Sequence, residues 1–155
     1  MKILTCIVLQ IFSIALYSQR SSTLTFSYFN SYLSNDQLEM RVSFHPKSFA
    51  VGLDLGIGTN FDEDFMLKSG LIYDFYRSDR LSLDIGIRGV IERFYYSNIN
   101  AVQITWNLDF PIRMNFDFSP SYYITGSIIP TYNTYYDIER KAVLSYSFGL
   151  GYYFW

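Results

Sequence analysis

Along most of the chain, apolar and polar side chains take turns with a period of two. From Gln37 to Phe44, Leu38, Met40, Val42 and Phe44 share one face, and Gln37, Glu39, Arg41 and Ser43 share the other. From Phe49 to Ile57, Phe49, Val51, Leu53, Leu55 and Ile57 stand opposite Ala50, Gly52, Asp54 and Gly56. From Leu67 to Tyr76, Leu67, Leu71, Tyr73 and Phe75 stand opposite Lys68, Gly70 and Asp74. Leu81 to Glu92 sets Leu81, Leu83, Ile85, Ile87 and Ile91 against Asp84, Gly86, Arg88 and Glu92. Val102 to Arg113 sets Val102, Ile104, Trp106, Leu108, Phe110 and Ile112 against Gln103, Thr105, Asn107, Asp109 and Arg113. Leu144 to Trp155 sets Leu144, Tyr146, Phe148, Leu150, Tyr152 and Phe154 against Ser145, Ser147, Gly149 and Gly151. Two shorter alternations run from Leu24 to Phe29 and from Tyr122 to Ile128. Such a period marks strands whose two faces meet different surroundings.

These windows predict eight strands in an all-β fold. His45 to Ser48 and Arg77 to Arg80 read as tight turns, and a third turn is expected at Asn115 to Pro120. Longer connectors are expected at Asn30 to Asp36, Thr59 to Asp64, Arg93 to Asn100 and Thr131 to Lys141. Short turns alternating with long loops are the habit of an up-and-down membrane barrel. Pro111 interrupts the sixth window, because proline has no ladder donor, so a strand end or a bulge is expected there.

Composition narrows the class. Aromatics make up 20% of the 155 residues and charged residues only 17%, below the ~25% of ordinary soluble domains. The net charge of −2 gives no nucleic-acid footprint. One Cys and one His cannot build a disulfide framework or a Cys/His zinc site.

The first residues read as a targeting signal. Lys2 precedes an apolar stretch from Ile3 to Leu16, too short to span a bilayer as a helix but suited to a secretory signal. The expected division is a signal over residues 1–18, with cleavage as early as 15, and one barrel domain over 19–155. Cys6 leaves with the signal in this reading.

Alternation alone does not say which face points outward. A soluble lipocalin-like barrel is apolar inside, and a membrane barrel is apolar outside. The apolar faces carry no charge, and a charge there costs about 2–4 kcal/mol at the bilayer midplane. The opposite faces mix Gly and Ser with Glu39, Arg41, Asp54, Lys68, Asp74, Asp84, Arg88, Glu92, Asp109 and Arg113, which suits a narrow filled bore. Aromatics gather where strands meet turns: Phe44, Phe49, Phe75, Phe110, Tyr122 and Phe154 at one rim, and Tyr28, Tyr32, Phe65, Tyr95, Tyr96, Tyr132 and Tyr136 at the other. Rings favour the membrane interface.

The chain resembles the small eight-stranded outer-membrane β-barrel proteins of Gram-negative bacteria, the class of the outer membrane protein A and X barrels. The most specific piece is the end, Phe148-Gly149-Leu150-Gly151-Tyr152-Tyr153-Phe154-Trp155, where Gly149, Tyr152 and Phe154 fit the family's closing strand and Trp155 follows as one extra residue. The resemblance implies an eight-stranded antiparallel up-and-down transmembrane barrel in the outer membrane. It implies outer-membrane lipid and lipopolysaccharide as surroundings, and recognition of the last strand by the barrel-assembly machinery.

Candidate chemistry is sparse. His45 and Ser48 would make a hydrolytic pair, but Pro46 and Lys47 between them read as a turn. Asp62, Glu63 and Asp64 carry oxygen ligands for a divalent cation, and read first as a solvated loop. Gly56-Ile57-Gly58 is a strand with small inward residues rather than a phosphate loop, and Trp106 reads as lipid-facing. The expectation is therefore a non-enzymatic barrel with a structural or surface-interaction role. It is expected to have no catalytic, cofactor or metal site, no open pore, and loops as its contact surface. The alternatives are a secreted soluble barrel for a small apolar ligand and a lipid-modifying membrane enzyme.

Overall fold

The structure, a computed structural model, describes residues 22–30, 36–45, 50–60, 64–96, 101–133 and 142–154. The expected signal lies outside them. Nine strand segments are present: β1 (Ser22–Asn30), β2 (Gln37–Phe44), β3 (Val51–Thr59), β4 (Phe65–Arg77), β5 (Leu81–Tyr96), β6 (Ala101–Asp109), β7 (Ile112–Asp117), β8 (Tyr122–Asn133) and β9 (Ala142–Phe154). Each pairs antiparallel with its neighbours, and β1 pairs with β9 over Ser22 to Asn30. The sheet therefore closes on itself and leaves no free edge, the condition for β-structure in hydrocarbon.

Nine segments make eight staves, because β6 and β7 are two halves of one. Both pair with β5 on one side and β8 on the other. The break is at Phe110-Pro111, where the sequence predicts one. It is not a bulge. Arg88 pairs with Asp109 and Ile85 with Ile112, so the register is the same before and after. Pro111 accepts a bond from the Gly86 amide, and the Phe110 amide donates to Pro130. Pro111 and Pro130 cannot return those bonds, so the carbonyls of Gly86 and Phe110 each lose a ladder donor.

Followed from Thr23 through Ser43, Asp54, Gly70, Arg88, Asp109 and Thr131 to Val143, the registers return to the line of β1 about ten residues further along. That stagger tilts the staves and, with eight of them, leaves a bore that side chains fill.

Three expectations need correction. The sixth stave runs to Asp117, and its turn occupies Phe118 to Ser121, where the Ser119 hydroxyl accepts from the amides of Ser121 and Tyr122. Asn115 is consequently a strand residue, and Phe110 lies mid-wall rather than at a rim. β5 continues to Tyr96, so most of the expected connector from Arg93 is ladder, with Tyr95 opposite Val102. The contrast between short turns and long loops is thereby reduced. Phe75 faces outward as expected; β4 carries an irregularity between Asp74 and Tyr76, so that Tyr76 beside it is exposed as well.

The predicted faces are otherwise those observed. Leu144, Tyr146, Phe148 and Leu150 are exposed, and Ser145 and Ser147 between them are buried. Trp106 is 61% exposed, whereas Arg88 is 1% exposed. The wall is inside out relative to a soluble domain: its apolar side chains face outward, and charged residues of its mid-strand positions, such as Glu39, Asp54, Lys68 and Arg88, are interior.

Candidate functional site

The only concentrated chemistry among the described residues is inside the bore. Its centre is an ion network. Lys68 Nζ donates to Glu39 Oε2 at 3.0 Å and lies 3.7 Å from Asp109 Oδ2. The Arg88 guanidinium reaches Glu39 and Asp54 at 3.4 Å through Nη1, and Asp109 at 3.2 Å through Nη2. Asp54 also receives Arg113, has Arg41 Nε at 3.7 Å, and accepts from the Ser43 hydroxyl at 2.5 Å. Thr131 donates to Asp109 at 2.7 Å. Buried ions persist only when paired and hydrogen-bonded, and each carboxylate here meets at least two cations.

Glycine makes the longer pairings possible. Asp54, Gly70 and Arg88 lie in one row across three staves. A methyl group at Gly70 would strike the Ile87 carbonyl and Arg88 itself, so the arginine crosses the space over that glycine to reach β3. The same device recurs at the closing strand. Thr25 and Tyr123 flank Gly151, and their hydroxyls are 2.6 Å apart across it. An added methyl at Gly151 would collide with the Tyr123 ring.

On the loop side of the ions sits an apolar cluster of Phe29, Met66, Val90 and Ile129, each 0–2% exposed. Lys68 Nζ stands 3.6 Å from the centre of the Phe29 ring, a cation–π contact that ties this layer to the network. Sequence reading overlooks the cluster as a unit. Parity does place Val90 inward between Arg88 and Glu92, and that is the signal that finds it. Beyond, Asn107 donates to Glu92 at 2.6 Å.

At the turn end the bore opens into a polar mouth. His45 Nε2 lies 3.2 Å from Asp74 Oδ1, and Asn115 donates to Asp84 Oδ2 at 2.8 Å. The cavity there measures about 20 Å³, room for about one water.

The sequence candidates fall as follows. His45 joins this mouth and pairs with Asp74; Ser48 is outside the described residues. Asp64 is buried rather than solvated. It accepts from Asn60 at 2.7 Å, and its carbonyl accepts from Thr59 at 3.0 Å, so it fastens the end of a connector. Asp62 and Glu63 are outside the described residues. Among the described residues no group of three His, Cys, Asp or Glu is arranged to hold a metal ion. Gly56 and Gly58 face Glu39 and Met66 across the bore side of β3, and Ile57 between them faces out.

No family model matches the sequence, and no curated protein matches it. Solved structures do match the fold. The N-terminal β-barrel domain of Pseudomonas aeruginosa OprF superposes with a TM-score of 0.71 at 15% identity, covering 88% of this chain and 98% of that one. Neisserial surface protein A gives 0.60 at 11% identity, covering 86% and 95%. The Yersinia pestis outer membrane protein Ail, solved in a phospholipid bilayer nanodisc, gives 0.56 at 12% identity, covering 86% and 99%. The chain has the fold of the small eight-stranded outer-membrane barrels.

Proposed function

We propose that the chain is an integral outer-membrane protein of a Gram-negative bacterium, with a structural or surface-interaction role and without an enzymatic one. The observation that carries this reading is the reversed polarity: Leu150 and Ile85 are exposed while Glu39, Asp54, Lys68 and Arg88 are buried. An apolar exterior suits acyl chains and would be a liability in water. A secreted barrel for an apolar ligand needs the opposite, an apolar bore. The barrel folds in, and is surrounded by, outer-membrane lipid and lipopolysaccharide. Its last strand, with Gly149 inward and Tyr152 outward, is the segment the assembly machinery recognises. The connectors at the loop end are the surface offered to partners.

The bore does not conduct in this reading, because paired ions and the Phe29 cluster fill it. Fractionation tests the location: the protein is expected in the outer membrane, extracted only by detergent, with folded and heated forms migrating differently in gels. Recovery in the soluble fraction would overturn the proposal. Planar bilayers test the plug. Reproducible single-channel currents from purified protein would replace the structural reading with a porin.

A further inference from the structure

The turn-side mouth departs from the rule that governs the centre of the bore. Asp74 and Asp84 are direct partners in the β4–β5 ladder. Both side chains turn inward and line the same small cavity. Like charges directly opposite one another on two strands oppose pairing. Two carboxylates that share a site keep one proton between them. His45 Nε2, at the end of β2, lies 3.2 Å from Asp74 Oδ1 and holds that carboxylate in place.

Other charged and polar groups face the mouth as well. Arg77 stands 3.9 Å from Asp74. Arg41 and Arg113 line the cavity from β2 and β7 but are already engaged with Asp54 of β3. Tyr123 and Tyr153 close it from β8 and β9, with their hydroxyls on Thr25 and Asp117. Asn115 and Ser82 contribute neutral polar atoms. The ladder is also irregular at the mouth, since the β4 irregularity follows Asp74 directly.

We propose that Asp74 and Asp84 form a proton-dependent latch on the β4–β5 hairpin at the turn-side mouth, with His45 positioning Asp74. With one proton held between the carboxylates, the hairpin carries a carboxylate–carboxylate hydrogen bond. Loss of that proton leaves two facing anions. The latch is therefore closed at lower pH and loosens as pH rises. The β1–β9 seam, with no such pair, is unaffected. The consequence is a barrel whose turn side responds to pH while its closing seam does not.

Hydrogen exchange of the full chain in lipid nanodiscs tests this. The reporters are the Asp74 amide, bonded to Ala50, and the Ser78 amide, bonded to Leu81. After correction for intrinsic exchange, their protection is expected to fall roughly tenfold between about pH 5.5 and pH 7.5, a one-unit linkage. Amides of β1 and β9 are expected to stay level. Asp84→Asn keeps a neutral partner and is expected to abolish the fall; His45→Gln, which leaves both carboxylates, is expected to retain it. The same fall in Asp84→Asn as in the parent would overturn the latch. Should the variants not fold, carboxyl-carbon titration of the parent decides. Asp74 and Asp84 titrating together as a pair supports the latch. Independent titrations, both complete below about pH 5, overturn it.

Discussion

The closing seam and the sixth stave are parts of one wall built in different ways. Where β1 meets β9, residues pair without interruption from Ser22 to Asn30. Where β6 gives way to β7, two prolines on adjacent staves remove two ladder donors. The interior compensates for the difference. At mid-seam the inner face is small, with Thr25, Ser27, Gly149 and Gly151, and the backbone does the holding there. The broken stave is clamped from within on both sides of the break: Asp109 before it to Arg88 and Lys68, and Arg113 after it to Asp54. Lipid supplies no hydrogen bonds, so a gap in the ladder is tolerated where the bore carries the load.

The largest effect is expected at the seam. Deleting Tyr152 to Trp155 removes part of the partner ladder of β1 and reopens an edge. Assembly should fail, read as loss of the heat-modifiable form from the outer membrane. Normal assembly would show that the seam is not the essential closure.

Arg88→Met comes next. It leaves Glu39, Asp54 and Asp109 buried with fewer cations, at a cost of about 3–5 kcal/mol for breaking one partner of a buried pair. Urea unfolding in lipid measures the total, and hydrogen exchange locates it. Protection should fall at β6 and β7 more than at β1. Equal losses would mean that the network does not serve the broken stave in particular.

Leu150→Arg on the seam and Ile112→Arg beside the break should each cost about 2–4 kcal/mol, because both side chains face outward near mid-wall. A much smaller cost for Ile112→Arg would indicate water reaching the outer surface at the break.

The smallest effect is a repair. Pro130→Val keeps an apolar outward residue and restores a donor to the Phe110 carbonyl. It should add about 0.5–1.5 kcal/mol to stability. No gain would mean that this carbonyl is already satisfied by another group.

Much of this was legible in the sequence. Alternation assigned the faces, and Pro111 marked the break. The end of the sixth stave was not legible, because Asn115 and Pro120 read as turn residues while the ladder holds Arg113 to Asp117 in strand. Partner choice among the interior charges was not legible either. Glu39 stands opposite Gly58 and Lys68 opposite Gly56, two staves apart and in different rows, so their meeting depends on the stagger rather than on any local pattern. The inward apolar residues were hidden for a related reason. A window scored by its polar face discounts Met66 and Val90, although a narrow bore needs volume as well as charge.

The row from Asp54 over Gly70 to Arg88 has a mechanical consequence. A ring of staves joined only edge to edge flattens easily under sideways pressure, since each joint acts as a hinge. A link that skips a stave is a chord, and a chord fixes the angle between the joints it spans. Arg88 supplies one between β3 and β5, and the Tyr123–Thr25 contact supplies another between β8 and β1. Chords on separate arcs keep the cross-section round. In an asymmetric bilayer the barrel would then keep its shape and leave any adjustment to the surrounding lipid.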